Sequence, residues 1–269
     1  MTKLLLTTLF TALMTTATAQ TAKKVEMDIT PDGASTMVGY LPDKPTGRAI
    51  VDLPGGGYNH LSMQNEGHDW ANYFNEQGIA YFVLTYRMPG GDRTLPISDA
   101  ENAIRTVRRN ADQWNIQPGN VGIMGFSAGG HLASTVATHA TGEARPDFQV
   151  LFYPVISMQE GWTHQGSVDG FLGEGKKDAK LVWLFSNDRQ VRPGQTPPAI
   201  ILLASDDRAV PVVTNGLAYY EALLKAGINA SLHAYPKGGH GFGFRDTFPY
   251  HQQMLDELRQ WLAQLEMGR

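Results

Sequence analysis

Cysteine is absent from the 269-residue chain, and this absence removes several kinds of chemistry at once. Without a thiol there is no disulfide framework, no cysteine nucleophile and no cysteine-ligated metal site. Any covalent catalysis must therefore use serine, threonine, lysine or a carboxylate as the nucleophile.

The chain also lacks an excess of basic residues. Lys and Arg number 22 against 26 Asp and Glu, which gives a formal net charge of -4 and a pI near 6.0. This bulk charge excludes a basic nucleic-acid binder. Hydrophobic residues make up 42% and charged residues 18% of the chain, a balance that excludes a disordered or fibrous protein. The length predicts a single domain.

No apolar run is long enough to span a membrane, although one shorter run stands near the N-terminus. Lys3 precedes the mostly apolar residues 4–14, and an Ala-Thr-Ala cleavage sequence follows at residues 17–19. We interpret residues 1–19 as a signal peptide that is cleaved before Gln20. We therefore expect an exported protein, periplasmic or secreted, with no membrane contact in its mature form.

The rest of the chain alternates strand and helix patterns. Short apolar runs predict strands at Arg48–Leu53, Ile79–Tyr86, Asn120–Phe126, Asp147–Tyr153, Pro198–Ala204 and Ala230–Tyr235. Helical spacing and helix-end signals predict helices at Gln64–Gln77, from Ser98 and Asp99 as caps to Trp114, and at Ala128–His139, Val212–Lys225 and Thr247–Leu265. Repeated strand-helix-strand units predict an α/β fold, a mostly parallel sheet with helices on both faces.

Two stretches depart from this alternation. Lys23–Leu41 alternates only weakly, and we expect it to form an antiparallel hairpin at the edge of the sheet. Ser157–Thr196 has no clear period and carries several aromatic residues among glycines and charges. Long structureless loops are rare unless they are functional, so we interpret this stretch as an excursion over one end of the sheet. It has room for a short helix.

A Gly-x-Ser-x-Gly motif, Gly125 to Gly129, lies between a predicted strand and a predicted helix. A sharp turn from strand to helix holds the central Ser127 in a strained conformation and exposes its Oγ at the carboxyl edge of the sheet. The alternative is an ordinary serine N-cap in a glycine-rich turn. We predict that Ser127 is a nucleophile.

A serine nucleophile needs a base to accept its proton and a carboxylate to orient that base. His240 lies among four glycines just after a predicted strand, in a loop that lets the imidazole reach over the nucleophile. Asp206 and Asp207 follow another predicted strand. We predict His240 as the base and Asp207 as the orienting residue, with Asp206 as the alternative.

Acyl transfer also needs donors for the developing oxyanion. Gly55, Gly56 and Gly57 follow an early predicted strand, and their bare backbone lets N–H groups approach a substrate. We predict an oxyanion hole formed by Gly57 or Gly56 together with the amide of Ala128, at the start of the helix after Ser127. The loop lacks the Lys-Ser/Thr of a nucleoside-triphosphate site and the spacing of a dinucleotide fingerprint.

Five segments resemble the α/β-hydrolase superfamily, and within it the serine carbohydrate esterases related to bacterial acetylxylan and feruloyl esterases. They are PGGGYNHLS followed by Glu66-Gly67, GFSAGGHLA, RPDFQVLFYPVI, TPPAIILLASDDRAVP and YPKGGHGFG. The similarity extends from about residue 49 to residue 265. It implies that residues 20–269 form one α/β-hydrolase domain. Pro54 departs from lipase-type relatives, many of which carry His before the glycines, so specificity for lipid esters does not transfer.

The resemblance implies a serine carboxylic-ester hydrolase that works through an acyl-enzyme and needs no metal or organic cofactor. We expect a small acyl group, most simply acetyl, on xylan or a similar plant polysaccharide or oligosaccharide. Tyr58, Trp162 and Trp183 are predicted to bind the substrate, because flat aromatic faces suit sugar rings. Alternatives are a feruloyl or general short-chain carboxylesterase, a serine peptidase, and a non-catalytic hydrolase-fold binding protein. The sequence does not give the oligomeric state.

Overall fold

The computed structural model describes residues 23–265, so the predicted signal peptide at residues 1–19 lies outside the described part. Eight strands form one sheet within it. They are β1 (Lys23–Asp28), β2 (Thr36–Leu41), β3 (Ala49–Leu53), β4 (Ala80–Thr85), β5 (Val121–Phe126), β6 (Gln149–Phe152), β7 (Ala199–Ala204) and β8 (Ala230–Tyr235).

The helices alternate with these strands. They are α1 (Ala71–Glu76), α2 (Thr94–Arg109), α3 (Ala111–Trp114), α4 (Ala128–His139), α5 (Gln165–Leu172), α6 (Ala179–Leu184), α7 (Ala218–Lys225) and α8 (His251–Gln264). A π-helical turn, Val213–Leu217, leads into α7. No helix in residues 23–265 combines the length and the apolar character needed to cross a membrane.

The sheet is parallel from β3 to β8, with an antiparallel edge. Its strand order is β1-β2-β4-β3-β5-β6-β7-β8, and β2 pairs antiparallel with both β1 and β4. This confirms the predicted mostly parallel sheet and its N-terminal edge hairpin. On the outermost strand, β1, Lys24 forms an exposed ion pair with Glu26 at 2.9 Å.

Apolar side chains on the two faces of the sheet form two cores. On one face α2, α4 and α7 bury residues such as Ile104, Leu132 and Leu223. On the other face α1 and α8 bury residues such as Phe74 and Leu258. Both faces of the central strands are therefore covered, which explains why β3, β5 and β7 are buried at every position.

The predicted helix at 64–77 is wrong in its first half, because only α1 is α-helical there. Polar groups of the residues before α1 form hydrogen bonds with other loops. Gly55 donates its N–H to Glu66 Oε2 at 3.0 Å, and Asn65 Nδ2 donates to the carbonyl of Gly241 at 3.2 Å. These long-range hydrogen bonds outweigh the local helical pattern.

The caps predicted for the next helix are also wrong. α2 begins at Thr94, whose N–H is accepted by Asp92 Oδ1 at 3.1 Å. Ser98 and Asp99 lie inside the helix, where the buried Asp99 pairs with Arg87 at 2.6 Å. The Asp99 carboxylate therefore pairs with the Arg87 guanidinium and does not cap the N-terminus of α2.

The excursion predicted at 157–196 packs over the carboxyl edge of the sheet and contains α5 and α6. Buried Asn215 fixes its start, since Asn215 Oδ1 accepts hydrogen bonds from the N–H groups of Ile156 and Ser157 at 2.9 and 3.1 Å. Asn187 fixes its far end, because Asn187 Nδ2 donates to the carbonyl of His131 in α4 at 3.1 Å. The excursion is therefore anchored at both ends.

Candidate active site

Ser127 lies at the sharp turn between β5 and α4. Its backbone adopts φ 52° and ψ −117°, a conformation that L-residues rarely take. Neighbouring backbone holds it there: the N–H of Ser127 donates to the carbonyl of Phe152 at 3.0 Å, and its carbonyl accepts from Val155 N–H at 3.0 Å. The strained turn predicted from the motif is therefore present.

The turn requires glycine at position 129 because α4 passes very close to the end of β3. A Cβ on Gly129 would lie 2.0 Å from the carbonyl oxygen of Leu53, which is backbone and cannot rotate away. We expect Gly129→Ala to lower the free energy of unfolding by about 3 kcal/mol, as overpacking does. Urea unfolding measures this change.

Gly175→Ala is the matched control for that substitution, since its added methyl meets only the flexible ends of two side chains, Leu181 at 3.0 Å and Arg93 at 3.8 Å. The free energy of unfolding of this variant should stay within about 0.5 kcal/mol of the wild type. Equal stability of Gly129→Ala and Gly175→Ala would contradict the close approach.

His240 connects Ser127 to Asp207, as predicted. His240 Nε2 lies 2.8 Å from Ser127 Oγ, and its Nδ1 lies 2.7 Å from Asp207 Oδ2. The carboxylate is buried, and its other oxygen accepts the N–H groups of Ala209 and Val210 at 2.8 and 3.0 Å. A neutral imidazole in this setting carries its proton on Nδ1 and accepts the serine proton at Nε2.

Asp206, the alternative orienting residue, does not contact the imidazole. Its Oδ1 accepts the N–H of Gly239 at 2.7 Å and so holds the loop that carries His240. The two adjacent carboxylates thus have separate partners. Asp207 bonds to the imidazole of His240, and Asp206 bonds to the backbone of Gly239.

The predicted oxyanion donors lie beside Ser127. Gly56 and Gly57 line the same cavity as Ser127 and have φ angles of 137° and 65°, which favour glycine. Ala128 is the first residue of α4, so its N–H has no acceptor within the helix. The arrangement offers backbone N–H groups from two separate elements near one hydroxyl.

The structure does not support the predicted contact of the Tyr58 ring with a substrate, since this residue is only 3% exposed. Its hydroxyl bonds to His131 Nδ1 at 2.8 Å, and His131 Nε2 lies 2.8 Å from the carbonyl of Phe185. Burial lowers the pKa of His131 to about 4, so the ring stays neutral. Tyr58 therefore anchors the glycine loop rather than offering its ring to a substrate.

The cavity above Ser127 has a volume of about 760 Å³, and its lining contains many polar residues and no aliphatic side chain. Sequence reasoning missed His60, Asn65, His164 and Arg245, which lie far apart in the chain. The residues that line the cavity are Gly56, Gly57, Tyr58, Asn59, His60, Ser62, Asn65, Glu66, Gly90, Ser127, His164, Gly166, Asp169, Gly170, His240, Gly241 and Arg245.

His164 brings the excursion to the cavity. Its Nδ1 accepts the N–H of Ser167 at 3.2 Å and caps α5, so the neutral ring carries its proton on Nε2. Burial lowers the pKa of His164, which favours this neutral form near pH 7. The sequence did not predict a helix directly after His164, so no sequence signal brought this histidine to the cavity.

The predicted role of Trp162 and Trp183 at the cavity of Ser127 is not supported. Their side chains are 45% and 56% exposed, and both line a different cavity of about 770 Å³ between α6 and the start of α7. Asp169 lines the cavity of Ser127 and pairs at 2.6 Å with Lys176, which lines the other one. The two tryptophans therefore line a neighbouring cavity and not that of Ser127.

Residues 50–244 match the family described as alpha/beta hydrolase fold. The chain is 53% identical over 98% of its length to an acetylxylan esterase of Xylanibacter ruminicola, and covers 55% of that protein. It is 35% identical over 71% of its length to endo-1,4-beta-xylanase B of Butyrivibrio fibrisolvens, and covers 32% of that protein. The chain therefore spans about half or less of the length of these curated relatives.

A solved structure has the same architecture. It is that of an acetyl ester-xyloside bifunctional hydrolase from Caldicellulosiruptor lactoaceticus, with a TM-score of 0.79 and 37% sequence identity. The match covers 85% of this chain and 87% of that one.

Proposed function

The chain belongs to the α/β-hydrolase family, and from that premise we propose that it is a serine carboxylesterase that removes acetyl groups from xylan or a similar plant polysaccharide. The observation that carries the chemistry is the chain of two short hydrogen bonds from Ser127 through His240 to Asp207. The similarity to an acetylxylan esterase supports the substrate class.

In the first half of the reaction Ser127 Oγ attacks the acyl carbon while its proton moves to His240 Nε2. Asp207 holds the Nδ1 proton and stabilises the imidazolium that forms. The N–H groups of Gly57 and Ala128, with Gly56 as the neighbouring donor, stabilise the oxyanion. The ester bond then breaks, and the departing alcohol takes the proton from His240 Nε2. An acyl-enzyme on Ser127 remains.

In the second half a water molecule enters and repeats these steps. Its proton moves to His240 Nε2 as its oxygen attacks the acyl carbon. Collapse of the second tetrahedral intermediate releases the carboxylic acid, and Ser127 Oγ regains the proton. The imidazole must be neutral at the start of each half of the reaction, because it accepts a proton there.

The residues that line the cavity suit an ester with a polar alcohol part and a short acyl part. Its lining contains glycines, amides, histidines, carboxylates and an arginine, and none of the residues that line it is aliphatic. His164 Nε2–H and the amides of Asn59 and Asn65 can bond to sugar hydroxyls. A long acyl chain would therefore find no aliphatic side chain there on which to pack.

We expect aryl acetate to be hydrolysed with at least about a tenfold higher kcat/KM than aryl octanoate. A lipase-like pocket would instead favour the longer chain, by about 0.8 kcal/mol for each buried methylene. A series of p-nitrophenyl esters from acetate to octanoate measures the preference.

Acetic acid release from acetylated xylo-oligosaccharides is measured in parallel with ferulic acid release from feruloylated ones. Faster feruloyl release would indicate a feruloyl esterase. Preference for octanoate, with no acid released from either saccharide, would reject the proposed substrate class. Export also belongs to the proposal, since it brings the enzyme to polysaccharide outside the cell. Detection of the protein in periplasmic or culture fractions tests it.

A further inference from the structure

A buried carboxylate joins the glycine loop to the loop that carries His240. Glu66 Oε2 accepts the N–H of Gly55 at 3.0 Å, next to the predicted oxyanion donors. Glu66 Oε1 accepts the hydroxyl proton of Tyr153 at 2.8 Å. The Tyr153 hydroxyl in turn accepts the N–H of Gly243, at 3.0 Å, three residues after His240.

This chain of hydrogen bonds connects parts of the site that no regular element connects. Gly55 follows β3, Tyr153 follows β6, and Gly243 belongs to the loop after β8. Glu66 and Tyr153 are both buried, so water does not compete for these bonds. The distance between oxyanion donors and imidazole therefore depends on these two side chains.

The backbone of Tyr153 indicates that its position is enforced. Its φ is 35°, a left-handed value that is costly for a residue with a bulky side chain. The ring also packs edge-on against the His240 imidazole, with 4.8 Å between ring centroids. Strain at this point persists only because the surrounding contacts hold it.

Both carboxylate oxygens of Glu66 are used in this network. Burial raises the pKa of Glu66, while the Tyr153 hydroxyl and the Gly55 N–H that point at its two oxygens favour the charged form. A glutamine at this position has one acceptor oxygen and cannot accept both bonds in the same way.

We propose that Glu66 is a positioning residue, acting through Tyr153, that holds the oxyanion loop and the His240 loop at their working separation. This inference rests on the proposed serine-esterase function. It assigns to Glu66 no contact with the substrate.

The test compares Glu66→Gln, Tyr153→Phe and the wild type in kcat and KM for aryl acetate. Glu66→Gln should lower kcat roughly 10- to 100-fold with KM changed less than about threefold, because the loss is one of alignment.

Tyr153→Phe breaks the same connection but keeps the carboxylate. It should lower kcat about tenfold with little change in KM.

Asp99→Asn is the control for loss of a buried, bonded carboxylate, since Asp99 pairs with Arg87 away from this network. It should destabilise the protein without lowering kcat. Unchanged kcat in both Glu66→Gln and Tyr153→Phe would overturn the inference. A loss of kcat in Glu66→Gln beside full activity of Tyr153→Phe would also overturn it.

Phosphonylation of Ser127 by an aryl phosphonate separates this inference from the proposed substrate. Its rate depends on the nucleophile, the base and the oxyanion donors, and it needs no natural ester. A wild type that reacts rapidly but releases no acid from any saccharide would reject the substrate class alone. Equal phosphonylation rates in the wild type, Glu66→Gln and Tyr153→Phe would reject the role of Glu66.

Discussion

Ser127→Ala is expected to lower kcat for aryl acetate roughly 10⁵-fold or more, because no other group can form the acyl-enzyme. The fold should remain intact. Ser127 Oγ contacts His240 Nε2, whereas the strained turn is held by backbone hydrogen bonds that alanine retains. Steady-state kinetics measures the loss, and circular dichroism with urea unfolding measures the fold.

His240→Ala should be as inactive as Ser127→Ala, and the double variant should be no worse than either. The two side chains act in one proton transfer, so their losses do not add. Ser205→Ala, an exposed serine two residues before Asp207, is the matched control and should keep full activity. Wild-type turnover by Ser127→Ala would contradict the mechanism.

Asp207→Asn is expected to lower kcat about 10⁴-fold. Oδ1 of the side chain accepts two backbone N–H groups, so an asparagine would keep its oxygen there and turn its amide toward His240. The amide is a donor, and it would force the imidazole to carry its proton on Nε2, where it cannot accept the serine proton. Kinetics across a pH series measures the effect.

Asp206→Asn tests the alternative orienting residue. Its side-chain oxygen can still accept the N–H of Gly239, so we expect kcat to fall less than about fivefold. An inactive Asp206→Asn beside an active Asp207→Asn would reverse the assignment. The two variants change neighbouring residues in the same way, so general effects on folding are matched.

Much of the scaffold follows from local pattern. The helix predicted at Ala128–His139 has the bounds of α4, and the strand predicted at Ala230–Tyr235 has those of β8. A helix that starts directly after a strand leaves little freedom, and so do the apolar runs of β3, β5 and β7, which are buried on both faces. The placement of Ser127, His240 and Asp207 follows as well, because the carboxyl ends of parallel strands meet at one edge.

The predictions that were wrong share a physical cause. They depend on contacts between residues in different segments of the chain, which a local sequence pattern does not show. The periodicity at 64–77 is helical, but Asn65 and Glu66 bond to loops that lie far away in the chain. Glu66 was visible as part of a motif, but its contact with Tyr153 was not. Trp162 and Trp183 were placed by their segment alone, whereas the direction in which a side chain faces depends on how α5 and α6 pack.

The edge strand β1 also limits the addition of a strand from another chain to the sheet. An edge strand presents unpaired backbone groups to which another chain can add, and long, apolar edges favour such addition. β1 exposes most of its side chains, and Lys23, Lys24 and Glu26 place charges along it. A strand added to β1 would place its own side chains next to these charges and would desolvate them. The hairpin thus ends the sheet and protects a hydrophobic interior from aggregation through its edge.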